Sequence, residues 1–179
     1  MIGPAGTWSA ERLGPQGLVL VYAAAVAAGL WVLRQSRRSF WLVFILALPG
    51  TFAHELCHWL LGKLLLGRPV RFTLWPRREG RSYILGAVAF MNLRWYNAFF
   101  IGMAPLLLLP LAYGLFWWRL AAHPVLGWPE ALMAFLLANL IFGALPSGPD
   151  LRIAARSPVG WLLLAAGIAW AVLRLSRAG

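Results

Sequence analysis

Of the 179 residues, 61% are apolar and only 12% are charged, against about one-quarter charged in soluble domains, so water is not the main solvent of this chain. The net charge of +11 comes from basic residues clustered between apolar runs, which argues against a nucleic-acid surface and suits the flanks of membrane helices. A lone cysteine, Cys57, excludes an internal disulfide and a CxxC metal ribbon.

Residues 1–16 hold three Gly and two Pro with few apolar side chains, the composition of a short disordered or interfacial tail. A single transmembrane domain is expected over residues 17–179. Its first apolar run, Gly17 to Leu33, ends on Leu30-Trp31-Val32-Leu33 before Arg34. That is no small-residue cleavage site, so the run reads as a retained anchor. Arg34 to Arg38 forms a tight basic turn into the second run, Ser39 to Leu66.

The segment from Gly67 to Arg94 is basic and punctuated by Gly and Pro, with β-rich stretches Val70 to Trp75 and Ser82 to Met91. Its apolar parts are too short to span, and unpaired backbone cannot face lipid. A small β-hairpin or re-entrant segment is predicted here. Three further runs follow: Trp95 to Trp118, Val125 to Leu145 and Pro158 to Leu175. Trp128-Pro129-Glu130 marks a helix start with an interfacial Trp, a first-turn Pro and an acid near the positive helix end. His123, beside Pro124, reads as an interfacial residue. The predicted fold is therefore an all-α polytopic, multi-pass integral membrane protein with about five transmembrane helices.

Chemistry concentrates in the second run. His54-Glu55-Leu56-Cys57-His58 matches HExxH, and on a helix His54 and His58 share one face. Two neutral imidazoles one turn apart can take two corners of a zinc site, with Glu55 beside them as base for a water. The motif holds two of the chain's three His and one of its five acids, and ionisable groups at membrane depth are costly without a purpose. Cys57 reads as a buried free thiol.

A catalytic zinc normally has a third protein ligand, for which Glu79, Glu130 and Asp150 remain. If successive helices alternate in direction, His58 lies ~12 Å from the Leu66 end of its helix at 1.5 Å per residue. Asp150 then falls at the same membrane face and Glu130 at the other. Glu79 shares the favoured face but stands in Pro76-Arg77-Arg78-Glu79-Gly80-Arg81, a solvated turn tip. Asp150 is the favoured ligand. Its alternative is a helix-flanking acid that pairs with Arg152 or caps a short following helix.

These motifs resemble those of the site-2-protease-like intramembrane zinc metalloproteases, in a small form without a PDZ domain. The resemblance spans roughly Pro49 to Arg156 as an architecture. It implies His54, His58 and Asp150 as Zn2+ ligands and Glu55 as the catalytic base. It also implies that Asn139 positions substrate or stabilises the oxyanion, as an asparagine upstream of the aspartate does in that family; the other option is an interhelical hydrogen bond. Pro149-Asp150-Leu151 stands where the family carries Leu-Asp-Gly. Gly102-Met103-Ala104-Pro105 resembles a Gly and Pro pair of the family's core.

The expected function is zinc-dependent hydrolysis of a peptide bond in or near the membrane segment of a membrane protein or peptide substrate, with the hairpin holding the unwound substrate as an added strand. The alternative is a non-catalytic membrane binding protein, with or without structural zinc. Metal transport would require a relay of polar sites across the bilayer, and only one is visible. With alternating helices, ten basic residues fall on the face of the motif and six on the other, which predicts an active site facing the cytoplasm.

Overall fold

The computed structural model describes residues 14–79, 82–122 and 127–177. Residues 1–13 of the expected tail, residues 80–81 of the expected turn tip and His123 lie outside them, whereas residues 14–16 of that tail open the first helix and residues 77–79 of that tip form a strand. The chain is mostly helical: α1 (Gly14–Ser36) and α2 (Phe40–Leu64) precede four short strands. After the strands come α3 (Ala98–Gly102), a 3-10 turn (Ala104–Leu107), α4 (Leu108–Ala121), α5 (Trp128–Gly143), α6 (Gly148–Ala154) and α7 (Pro158–Ser176). Four helical segments are long and apolar enough to cross a membrane, or five if α5 and α6, bent by 51°, count as one broken span.

The strands are β1 (Pro69–Thr73), β2 (Arg77–Glu79), β3 (Ser82–Ile84) and β4 (Ala87–Phe90). β1 pairs antiparallel with β4, and β2 with β3 inside that pair, so the whole insertion is one interrupted hairpin. The predicted hairpin is present where composition placed it. Leu66 and Arg68 adopt positive φ of 58° and 51°, a conformation that L side chains enter only at a cost. The reversal between α2 and β1 is nonetheless tied down. Asn92 donates to the Leu66 carbonyl at 2.8 Å, and Asn97, fully buried, donates to those of Leu65 and Asn92 at 3.1 and 3.0 Å.

Two of the expected spans are broken. The third run opens with α3 and the 3-10 turn before α4, because Pro105 lacks an N–H and sits where a new helical segment starts. The fourth run stops at Gly143, and the chain restarts as α6 after Ser147, a short helix that was not among the five predicted.

Small residues control the packing of α5. Val21, Tyr22 and Ala25 of α1 face Glu130, Ala131 and Ala134 across one cavity, a Cβ on Gly29 would lie 2.8 Å from that of Ala138, and the Arg37 guanidinium stands 4.7 Å from the Phe142 ring centroid. Contacts ascend together along both helices, so α1 and α5 run in the same sense. Five spans alternating one after another would make them antiparallel. The packing of α1 on α5 therefore departs from simple alternation.

Outward faces remain apolar: Trp31, Trp41, Ile45, Trp118, Leu162, Ile168 and Trp170 are all exposed. The interior consists of Leu33, Val43, Ala47 and Ala138 at one end of α1, and Tyr22, Leu108, Ala112, Leu137 and Leu140 toward the other.

Candidate metal centre

The site is assembled by a close approach of two backbones. A Cβ on Gly143 would fall 2.6 Å from the Gly50 carbonyl oxygen, so α2 and α5 touch where neither has a side chain. One turn beyond Gly50 on α2 comes His54, and its Nδ1 lies 2.7 Å from the Gly143 carbonyl oxygen. That carbonyl closes α5 and lacks an intrahelical donor. His58, one turn further, places Nδ1 2.7 Å from the carbonyl oxygen of Ile101, in the last turn of α3.

Carbonyls only accept hydrogen bonds, so both imidazoles carry a proton on Nδ1, and in the neutral ring this leaves Nε2 as the lone pair a metal takes. This is the arrangement in which outer partners orient metal-binding histidines. The two Nε2 atoms stand 3.2 Å apart. Asp150 completes the group, with Oδ2 at 3.2 Å from His54 Nε2 and Oδ1 at 3.1 Å from His58 Nε2.

Asp150 is held independently of the histidines. It is the third residue of α6, and its Oδ2 accepts from the backbone N–H and the hydroxyl of Ser147, both at 2.6 Å. Ser147 Oγ in turn accepts from the Asp150 N–H at 3.4 Å, closing a reciprocal cap. The two options left open for Asp150 thus coexist: one oxygen is engaged in capping, and the carboxylate still faces both rings.

Two imidazole nitrogens and a carboxylate at 3.1 to 3.2 Å need a positive charge between them, which a metal ion supplies to neutral rings and an Nε2 proton supplies without one. Bonds of about 2.0–2.1 Å to a tetrahedral ion would separate the ligand atoms by about 3.3 Å, close to the separations observed. His54, His58 and Asp150 form a group able to hold a metal ion. With side chains 13%, 5% and 11% exposed, respectively, the three are largely sheltered.

Glu55 is buried beside the cluster, on the face of α2 that meets the hairpin. A Cβ on Gly86 would lie 2.7 Å from Glu55 Cγ and 2.8 Å from Oε1. Only glycine lets the β3–β4 link pass this close to the carboxylate. Asn139 lies elsewhere. Its Oδ1 accepts from the Gly50 N–H at 3.2 Å and its Nδ2 donates to the Phe135 carbonyl at 3.1 Å, which joins α2 to α5 one turn below the metal group. The structure thus places Asn139 in the interhelical hydrogen bond and not among the converging ligands. Cys57 packs against the apolar cluster that contains Tyr22 and Leu140. Glu130 lies at the far end of α5, paired with Arg119, and Glu79 is in β2.

Sequence reasoning missed the groups that orient the ligands. The carbonyls of Gly143 and Ile101 have no side-chain signature, and Gly86 is one glycine among 18. Ser147 was legible, since Ser-x-x-Asp before an apolar stretch is a helix-start signal. Comparison of the chain with family models, with curated proteins and with solved structures finds no match.

Proposed function

We propose that this chain is an integral membrane zinc endopeptidase that cleaves a peptide bond in or near a substrate's membrane segment. The observation that carries this reading is the convergence of His54 Nε2, His58 Nε2 and the Asp150 carboxylate, with a buried acid next to the first ligand in sequence. Long apolar helices with outward Trp, Leu and Ile support the membrane setting.

Zinc held by these three residues would supply Lewis-acid polarisation of the scissile carbonyl and acidify a water at neutral pH. Glu55 takes a proton from the attacking water on its carboxylate and returns it to the leaving amine nitrogen. His54 and His58, fixed through their Nδ1 protons, keep both Nε2 atoms in place, and the shelter of the pocket limits competing water.

A helical substrate hides its peptide bonds and must unwind to react. Among the described residues β4 pairs with β1 alone, so one edge of β4 is free. That strand begins one residue after Gly86, the residue that touches Glu55. A peptide added along β4 would run past the base.

The decisive comparison is wild type against Glu55→Gln, purified in detergent, scored for zinc by elemental analysis and for cleavage of membrane-segment peptides by mass spectrometry. Near one zinc per chain in both, with cleavage reduced about 10²- to 10⁴-fold in the variant, is the expected result. Equal cleavage by the two removes Glu55 from the mechanism. Zinc without cleavage in wild type favours the non-catalytic binding protein.

A further inference from the structure

His54 and His58 keep their spacing because they stand one turn apart on α2. Asp150 belongs to α6, so no shared helix fixes its place relative to the two rings. Metal–ligand distances hold to within about 0.2 Å, and another element has to set that spacing.

The five residues of α3 stand between the two helices. The carbonyl oxygen of Ile101 lies 2.7 Å from His58 Nδ1. The next residue, Gly102, packs on the backbone of the third ligand itself. A Cβ there would fall 2.5 Å from the Asp150 carbonyl oxygen, 2.8 Å from the Ala154 nitrogen and 3.0 Å from Ala154 Cβ. That oxygen and nitrogen are four residues apart in α6, the pair that a helix joins by a hydrogen bond. Consecutive residues of one turn thus meet the ring of the second ligand and the peptide of the third.

Both sides of this contact are held. Asn97, fully buried at the start of α3, donates to the Leu65 carbonyl at the end of α2. Ile101 is fully buried, and Phe99 occupies the space that a side chain would need at Gly160 of α7. On the other side Ala154 is fully buried, and the Ser147 cap locks the Asp150 carboxylate to its own helix. The carboxylate therefore travels with α6 and cannot swing back. Ordinary carbon contacts begin at about 3.5 Å, so a methyl at position 102 drives α6 back by about 1 Å, several times what a metal ligand tolerates.

We infer that Gly102 is a positioning residue of the metal centre. Its missing side chain, next to the Ile101 carbonyl that orients His58, sets the distance between the second and third ligands. The inference rests on the metal reading of the site and is independent of proteolysis.

The test compares wild type, Gly102→Ala and Gly29→Ala as full chains in detergent, with zinc affinity measured by competition with a metallochromic chelator and unfolding midpoints recorded alongside. Gly29→Ala is the matched lesion: its Cβ would lie 2.8 Å from that of Ala138, at the α1–α5 contact, which carries no ligand. Gly102→Ala should lose about 10- to 100-fold in zinc affinity, whereas Gly29→Ala should lower the midpoint alone. Cobalt reports the geometry. Wild type loaded with Co2+ should show the visible absorption of a four-coordinate ion, and saturated Gly102→Ala a weaker spectrum as water replaces the carboxylate. If Gly102→Ala does not fold, hydrogen exchange on wild type decides: zinc should slow exchange in α3 together with α6, and leave α1 unchanged. Wild-type zinc affinity and cobalt spectrum in Gly102→Ala, an equal zinc loss in Gly29→Ala, or α3 amides indifferent to zinc overturns this inference alone. Absence of zinc from wild type overturns the metal reading and this inference together.

Discussion

The two ends of α5 present the same local design with opposite outcomes. Gly127-Trp128-Pro129-Glu130 opens α5, and Ser147-Gly148-Pro149-Asp150 opens α6. In each, proline is the second helical residue and an acid the third. At Asp150 both carboxylate oxygens face partners, the Ser147 cap and the two imidazoles. At Glu130 one oxygen meets Arg119 and the other meets nothing among the described residues. The difference lies in the capping residue. A serine hydroxyl locks the acid across its own helix start, whereas glycine offers no side chain. An acid at a helix start is thus made rigid or left available by the residue three positions before it.

The same acid-to-amide change at the two ends should separate them most widely. Asp150→Asn removes a charged ligand and should weaken zinc by more than about 100-fold, beyond the 10- to 100-fold typical of an outer partner. Glu130→Gln should leave zinc affinity at the wild-type value. Competition with a metallochromic chelator measures both, and an equal loss in the two variants would mean that the acids act through stability and not through ligation.

Next in size is Gly143→Ala, which places a methyl 2.6 Å from the Gly50 carbonyl oxygen. Separating α2 from α5 should cost about 1–3 kcal/mol and lower zinc affinity, because the His54 Nδ1 contact goes to the Gly143 carbonyl itself. Gly148→Ala is the control, with nothing within 4 Å of the added Cβ. Similar thermal unfolding midpoints and zinc affinities for the two would remove the backbone contact as the organiser of the site.

Removing the cap tests the rigid end directly. Ser147→Ala deletes the hydroxyl that donates to Asp150 Oδ2 at 2.6 Å. It should cost about 1 kcal/mol of stability as a lost cap and about 10-fold in zinc affinity as a lost orienting partner. A stability loss with unchanged zinc affinity would show that the histidines alone position the carboxylate.

How much of this was legible depended on whether local sequence determines the contact. His54 and His58 converge because four residues make about one helical turn, and the hairpin followed from apolar stretches too short to span. Asp150 emerged by elimination among few acids, although the alternation used for it does not describe α1. α1 packs on α5 through Ala25, Gly29, Ala134 and Ala138, whose small size permits close approach without specifying direction, so the sense of the packing was not legible. Asn139 was equally ambiguous: a buried amide satisfies itself across whichever backbone stands opposite, here the Gly50 N–H. The broken third span shows a related limit, since Pro105 signals an interruption but not whether the chain bends or only changes its helical type.

The smallest effect probes the available end by giving it what the other has. Gly127 adopts φ −176° and ψ −168°, extended backbone open to any residue, so Gly127→Ser introduces a hydroxyl without strain. Serine in place of a glycine cap is worth only a few tenths of a kcal/mol, so the unfolding midpoint should rise slightly at most. A new hydroxyl three residues before Glu130 can donate to the carboxylate oxygen left without a partner among the described residues, as Ser147 does for Asp150. Zinc affinity should stay constant, because the change lies at the far end of α5 from the metal group. A lowered midpoint would mean that the cap does not form at Gly127, and a changed zinc affinity would show that the two ends of α5 are coupled.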